Sequence, residues 1–553
     1  MVRLREVEAR FGRNNQLNKR IRPVTFAACV TLLHAGLCLL VWDPKDITYI
    51  SDEGIYLMLG KSLATEGTYR FISWPEEPRH VKYPPIFPIL LSLIWKVFPD
   101  FPQNVPWFRG MNIIFGSLSL WVLHTLLRKE HSLGRLERIT ILLLVAVHPV
   151  MLFYSTSIHS EPFYLLISGL ILSYAIVASS QRLSEFPGLG IWLGLLTGLL
   201  LYVRLAAVAL AVAVLLYLLA RKDHRNLILA LLIQIVVVTP WLLWIGLNST
   251  ETTYRGFAFY SDYFRDWRQM VHDHGMQNLL WTNCISLFFG IPKTCFFPFQ
   301  TDLWRITQLT FWLGIPFHYF LWRGFVQTWK GGVNRLFHLY TLSSLIVFLV
   351  WPYIAQERFL GTLLPFFYLF FFKGAASSRS RASLEGVVTP RRSLISLSVV
   401  VVTVISLGLH TLRYGYLTRS NVAVSEQRHA VHACFSWIKE NIAAGDCLMA
   451  DLDTLFYLHT GRKVVPLILA LERKQEDWTM SERAILQTGA RYLVSGNDDL
   501  FVLGSSLRSN LRKTVSTTLA GSPLAFRRVF TSPNGEYQIY LFSGGKRIDL
   551  VWP

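Results

Sequence analysis

The chain has 553 residues, of which 52% are hydrophobic, 14% aromatic and 16% charged, well short of the roughly 25% charge usual in soluble domains. Its formal charge of +19 sits in short basic loops between apolar runs, the pattern that sets membrane topology; no nucleic-acid motif accompanies it, so nucleic acid is excluded as a partner. Composition therefore predicts a mainly α, polytopic membrane protein, since several apolar runs approach the roughly 20 residues that cross a bilayer.

In chain order, Arg3, Arg5, Arg10, Arg13, Lys19, Arg20 and Arg22 place the N-terminus on the cytoplasmic side. The apolar run that follows lacks a small-residue cleavage site. It is expected to stay attached as a first span over 24–42, leaving the outer face near Trp42. Residues 43–107 are expected to form the first outer loop together with an interfacial helix. The segment 86–98 is too short to cross, and laying it on the surface keeps Arg128, Lys129, Arg135 and Arg138 inside.

Spans are then expected at 108–127, 139–156, 162–179, 188–203, 205–220 and 226–247. A second outer loop over 248–302 follows, with Tyr254, Arg255, Tyr260 and an apolar patch at 284–298. Further spans at 303–322, 334–352 and 359–372, a basic inner loop from Lys373 to Arg392, and a last span at 393–412 make about eleven. Residues 1–413 form the membrane domain. From 414 to 553 the texture becomes that of a small soluble α/β domain on the outer face. It has an amphipathic helix over 425–442 and short strands at 447–450, 463–468, 491–495 and 537–542, separated by turn signals such as Thr460-Gly461 and Pro533-Asn534-Gly535.

Cys29, Cys38, Cys284, Cys295, Cys434 and Cys447 show no CxxC spacing. Cys284/Cys295 and Cys434/Cys447 stand as disulfide candidates if they face an oxidising compartment. Neither G-x-G-x-x-G nor a Walker loop is present, so nucleotide binding is unsupported.

This topology collects polar residues on one side: Asp52 and Glu53 after the first span, Lys82 before the interfacial helix, His159 and Glu161, then Arg204, then Gln356, Glu357 and Arg358. Singly, each has a plain role: a helix cap at Asp52, a snorkelling Lys82, a first-turn acid at Glu161-Pro162, interface anchors at Arg204 and Arg358. Together they point to a functional cavity, because charge at membrane depth is costly and tends to be paired or used.

Asp52-Glu53-x-x-Tyr56, then Lys82-Tyr83-Pro84-Pro85 with Phe87 two residues on, resembles the GT-C superfamily of membrane glycosyltransferases. The nearer resemblance is to the branch of bacterial lipid A aminoarabinose transferases and protein O-mannosyltransferases. Ser160-Glu161-Pro162, Glu357-Arg358-Phe359 before Leu364-Pro365, and the tail segments 437–467 and 532–542 fit the same branch. The chain departs from the aminoarabinose pattern in three places: Tyr83 intervenes between the lysine and the double proline, Ile55 stands where an arginine precedes the motif tyrosine, and the second acid is a glutamate. The resemblance does not carry the aminoarabinose substrate.

The resemblance implies transfer of a hexose or pentose from a polyprenyl-phosphate or pyrophosphate carrier to a lipid, glycan or protein acceptor on the extracytoplasmic face of a bacterial inner membrane. A leaving lipid phosphate needs a fixed cation, and Lys82, Arg358 and Arg204 are the candidates. A hydroxyl acceptor needs a carboxylate to take its proton, which points to Asp52. Glu53 and Glu161 either orient the acceptor or hold a divalent cation through hard oxygen ligands, and Tyr56 and Tyr83 are placed to contact substrate. Attack opposite the phosphate inverts the anomeric carbon, by analogy with inverting glycosidases. The rival readings are a transporter or flippase for a lipid-linked or amphipathic solute, for which related broken helices near mid-membrane would be expected, and a noncatalytic assembly factor binding through its outer domain.

Overall fold

The computed structural model describes residues 24–42, 51–130, 133–180, 188–249, 262–296, 303–330, 335–352, 357–383, 408, 422–474, 477–480, 485–486, 488–496 and 526–542. Helices dominate to residue 383. They are α1 (Val24–Val41), α2 (Ser51–Thr65), α3 (Ile86–Val97), α4 (Val105–Lys129), α5 (Arg135–Ala146), α6 (Pro149–Thr156), α7 (Glu161–Ser180), α8 (Leu189–Leu201), α9 (Val208–Ala220), α10 (His224–Asn248), α11 (Tyr263–His274), α12 (Met276–Phe296), α13 (Leu303–Lys330), α14 (Arg335–Val350), α15 (Glu357–Leu360) and α16 (Leu364–Ser383).

By length and apolar composition, α1, α4, α7 and α10 can each cross a membrane, and α5 with α6 forms a fifth candidate bent by 48°. The expected eleven spans are not reached on this criterion among the described residues, because α8, α9 and α14 are short apolar helices of 13, 13 and 16 residues. Apart from residue 408, the last expected span, 393–412, lies outside the described residues, as do the basic stretches 3–22 and 384–392 and Tyr254, Arg255, Tyr260 and Gln356.

Two breaks in this bundle are written in the sequence. Pro149 forces His148 out of helical geometry, and His148 sits at φ −69°, ψ 127° with its imidazole capping Val150 N. Between α8 and α9 the chain straightens at Arg204 (φ −154°, ψ 139°) before a short 3-10 turn, Leu205–Ala207. α3 lies where an interfacial helix was expected. It buries Phe87, Leu91 and Trp95 against α2 and exposes Ile89, Leu93 and Val97, and Trp95 Nε1 donates to Leu57 O at 3.0 Å.

The expected loop over 248–302 is corrected in its second half: 263–274 and 276–296 are helices, and α12 packs on α13, α14 and α15. Asn283, which interrupts its apolar run, is satisfied by neighbouring backbone. Asn283 Nδ2 donates to Leu349 O (3.0 Å) and Trp351 O (2.8 Å). Helices tolerate such groups inside a bundle when other elements pair them.

α13 and α16 cross where Gly324 meets the Phe370 carbonyl and Gly374 meets the Phe320 carbonyl. A Cβ on Gly324 would fall 1.7 Å from Phe370 O and one on Gly374 1.9 Å from Phe320 O. Small residues let helix backbones approach this closely. Gly324→Ala is therefore expected to cost about 3 kcal/mol or more, since a backbone carbonyl cannot swing away. Gly314→Ala on the same helix, whose Cβ would make an ordinary 3.6 Å contact with Pro292, is expected to be neutral. Thermal unfolding of the two detergent-purified variants checks the contrast.

The C-terminal part folds as expected in kind. α17 (Val422–Asn441) and α18 (Asp453–Thr460) accompany β1 (Cys447–Ala450), β2 (Lys463–Pro466), β3 (Leu471–Lys474), β4 (Asp477–Met480), β5 (Ala490–Ser495), β6 (Phe526–Thr531) and β7 (Gln538–Phe542). Five strands form one sheet in the order β2-β1-β5-β7-β6, with β2, β1 and β5 parallel and β7 and β6 antiparallel. The β3–β4 hairpin and β6 were not foreseen. β6 carries Arg527 and Arg528, exposed, which breaks the apolar signal.

All six cysteines are free, and the candidate disulfides fail on geometry. Cys284 and Cys295 lie on one helix, about 16 Å apart along its axis, beyond the reach of a disulfide. Cys434 and Cys447 belong to cores on opposite faces of the sheet.

Candidate active site

Asp52 is on the first turn of α2, Lys82 and Tyr83 on the loop between α2 and α3, Glu161 at the start of α7, Arg204 at the α8–α9 break and Arg358 on α15. The fold brings them to one place. The Arg358 guanidinium lies between two carboxylates, donating through Nη1 to Asp52 Oδ2 and through Nε to Glu161 Oε1. Arg204 Nη1 is 2.5 Å from the same Glu161 oxygen and 3.3 Å from Ser160 Oγ, which Tyr56 Oη meets at 3.2 Å. Glu161 Oε2 is buried with no partner among the described residues. Tyr83 Oη donates to Asp52 Oδ1 at 2.7 Å.

Arg204, Arg358, Tyr56 and Tyr83 line a cleft whose walls also include Tyr263, Trp351 and Phe359. Arg358 and Asp52 side chains are 18% and 19% exposed, so the pair is largely dry, and Arg358 reaches the cleft. Burial alone would raise the Asp52 pKa, but the Arg358 charge and hydrogen bond, with the Tyr83 hydroxyl, hold it well below the usual carboxylate range.

Lys82 is buried, with its ammonium 4.8 Å from the Tyr263 ring centre and 5.8 Å from that of Tyr83, a cation held over aromatic faces. Burial brings its pKa down to about 8, against the opposing pull of Asp266 and Asp52. An anion bound beside Lys82 is expected to be held more weakly as pH rises through about 8, where Lys82 loses its charge. Titration of a phosphate monoester between pH 6.5 and 9 checks this, and Lys82→Arg is expected to flatten the profile because its guanidinium stays charged.

Glu53 is placed differently from its neighbour. It is buried, its Oε1 accepts from Ile158 N at 2.6 Å and lies 3.5 Å from His159 Nδ1, so it ties α2 to the turn before α7. That turn is also held by Asn112 Nδ2, which donates to Ser157 O (2.5 Å) and His159 O (2.8 Å). The donor set does not fit a divalent cation at Glu53 and Glu161: Glu53 faces a backbone amide and a histidine, and Glu161 faces two guanidiniums. No cluster of three or more His, Cys, Asp or Glu side chains is disposed to hold a metal among the described residues.

Sequence reasoning missed Tyr263, Trp351 and Ser160. Tyr263 had one signal, because Asp262 precedes it as an N-cap whose Oδ1 accepts from Phe264 N (2.8 Å) and Arg265 N (3.2 Å).

The C-terminal sheet reaches this site through the loop between α2 and α3. Val464 N donates to Ser73 O at 2.7 Å, Lys463 Nζ to Glu77 at 2.5 Å, and Trp74 Nε1 to Asp453 at 3.2 Å. Gly54, two residues from Asp52, abuts α18, and a Cβ there would fall 2.2 Å from Thr454 Oγ1. Gly54→Ala is expected to cost about 1–3 kcal/mol by overpacking, eased when Thr454→Ala is combined with it. Melting of the single and double variants checks this.

No family model matches the chain, and no curated protein is similar in sequence. Solved structures are similar in fold. The crystal structure of ArnT from Cupriavidus metallidurans bound to undecaprenyl phosphate aligns with a TM-score of 0.52 at 11% identity, over 94% of this chain and 97% of that one. The Archaeoglobus fulgidus oligosaccharyltransferase tethered to an acceptor peptide aligns with a TM-score of 0.55 at 13% identity, over 95% of this chain and 74% of that one. Both are GT-C membrane glycosyltransferases.

The chain has a GT-C fold.

Within that fold, the residues that carried the sequence resemblance, Asp52, Tyr56, Lys82, Tyr83, Glu161 and Arg358, meet at or beside one cleft. Arg204 joins them because the break after α8 leaves its backbone extended.

Proposed function

We propose that this GT-C protein transfers a sugar, a hexose or pentose, from a polyprenyl-phosphate carrier to a hydroxyl acceptor on the extracytoplasmic face of a bacterial inner membrane. The observation that carries this reading is the Arg358 bridge between Asp52 and Glu161, backed by Arg204 and set beside Lys82. Three cations and two carboxylates at the mouth of an apolar bundle suit a lipid phosphate on one side and a hydroxyl on the other. The two similar structures, one bound to undecaprenyl phosphate and one tethered to an acceptor peptide, support the same reading.

In the reaction, the acceptor oxygen bonds to the anomeric carbon while the bond from that carbon to the phosphate oxygen breaks. The bonding pair leaves with the phosphate, and the acceptor proton passes to Asp52. Lys82, Arg204 and Arg358 meet the charge developing on the phosphate, and Asp52 acts as the positioned base. Attack from the face opposite the phosphate inverts the anomeric carbon. Glu161 orients the acceptor through the oxygen that the arginines leave over. Glu53 sets the height of α2. The C-terminal domain, docked on the loop that carries Lys82, positions the acceptor.

Mass spectrometry of envelope lipids, glycans and proteins from cells with and without the gene tests the reading. One class of molecule is expected to lose the mass of a single sugar residue when the gene is deleted. Unchanged products alongside a lost solute uptake would favour transport.

A further inference from the structure

Tyr83 is one of the three places where this chain departs from the pattern it resembles, and the structure gives its hydroxyl a partner within the protein. Tyr83 Oη donates to Asp52 Oδ1 at 2.7 Å, while Arg358 takes Oδ2. A carboxylate has about four acceptor directions, and Tyr83 and Arg358 take one on each oxygen.

Tyr83 is itself held from several sides. Its backbone N–H donates to His80 Nε2 at 2.8 Å and its carbonyl accepts from Tyr69 Oη at 2.8 Å. Its ring stacks on the His80 imidazole, 5.4 Å between centres and 13° from parallel. His80 is fully buried. It is fixed by His80 N donating to Tyr69 O (2.9 Å), by its own carbonyl accepting from Trp244 Nε1 (2.9 Å), and by Phe71 edge-on at 4.7 Å. An imidazole that accepts through Nε2 is neutral with its proton on Nδ1, and burial, with Lys82 nearby, holds His80 well below the usual imidazole pKa.

We propose that Tyr83 is a positioning residue for Asp52, fixing the direction of its carboxylate, and that His80 in turn fixes Tyr83. This rests on Asp52 being the base. It differs from the expectation that Tyr83 contacts substrate: the hydroxyl matters through Asp52, and the ring matters through His80.

Tyr83→Phe keeps the ring and deletes only the hydroxyl. With a radiolabelled polyprenyl-phosphate sugar that the wild type uses, kcat is expected to fall about tenfold to a hundredfold, the range for losing one hydrogen bond to a charged group, with KM for donor and acceptor unchanged. His80→Leu, which removes the acceptor for Tyr83 N, is expected to lower kcat in the same way, and His80→Gln, which keeps an acceptor, to recover part of it. Unchanged kcat in Tyr83→Phe, or a loss confined to KM, would overturn the proposal.

A thermal-unfolding double-mutant cycle supplies a readout independent of turnover. Tyr83→Phe is expected to lower the melting temperature of the wild type but not of Asp52→Ala, and additive shifts would overturn the proposal. A wild type that transfers no sugar would remove Asp52 as base, while the cycle still reports whether the two side chains are coupled.

Discussion

Asp52→Asn is expected to lower sugar transfer by about a thousandfold, within the range attributed to a positioned general base, with KM for the donor little changed. The reasoning is geometric. Asp52 lies on the first turn of α2, mostly shielded, with one oxygen on Tyr83 and the other on Arg358. An asparagine fills the same space and still accepts from Tyr83, so the loop keeps its shape. It cannot take a proton from an acceptor. Steady-state turnover with a labelled lipid-linked sugar, alongside a melting curve to show that the variant is folded, reads the effect. A variant retaining more than a tenth of wild-type turnover would remove Asp52 from the chemistry.

Arg358→Ala is expected to fail in two ways at once. The guanidinium is the element between Asp52 and Glu161. Removing it leaves Asp52 without its ionic partner and Glu161 with Arg204 alone. One-sided removal from a buried pair costs about 3–5 kcal/mol, and the lower end applies because the pair still reaches solvent through the cleft. Turnover is expected to fall a further hundredfold to thousandfold as a cation facing the leaving phosphate is lost. Arg358→Lys is expected to restore part of the stability and little of the turnover, since an ammonium cannot serve two carboxylates as a planar fork does. The double variant Asp52→Asn, Arg358→Met separates the two effects: its melting temperature is expected to recover toward wild type while turnover stays lost. Equal melting of Arg358→Ala and wild type would show that the bridge is not holding the site together.

The gathering of Asp52, Glu161, Arg204 and Arg358 was legible in the sequence because each sits at a junction between an apolar run and a loop. Orientation arithmetic then put those junctions on one side. The chain confirms their proximity through direct ion pairs among them. α3 was legible as a separate short helix for a similar reason: its apolar run is too short to cross a bilayer.

What escaped reading depends on pairing between distant segments. α12 looked like a loop because Asn278, Thr282, Asn283 and Lys293 interrupt its apolar pattern. Asn283 is satisfied by carbonyls at the end of α14, and Lys293 pairs with Glu357 at 2.9 Å beside Arg358. Neither partner can be inferred from local sequence. Glu53 looked equivalent to Asp52, yet a helix turns about 100° per residue, which sends adjacent side chains to different surroundings. One acid meets Arg358, the other the amide of Ile158. Tyr83 read as an interruption of a lysine–proline motif, and only the fold shows its hydroxyl on Asp52.

The measurement that tests the central claim most directly is transfer by the purified protein in lipid nanodiscs, supplied with a panel of radiolabelled polyprenyl-phosphate sugars and an extract of envelope acceptors. The account predicts that label moves from at least one donor to an acceptor, free polyprenyl phosphate appears in equal amount, and both products vanish in Asp52→Asn. Label that stays on its carrier with every donor, or transfer undiminished in Asp52→Asn, would contradict it.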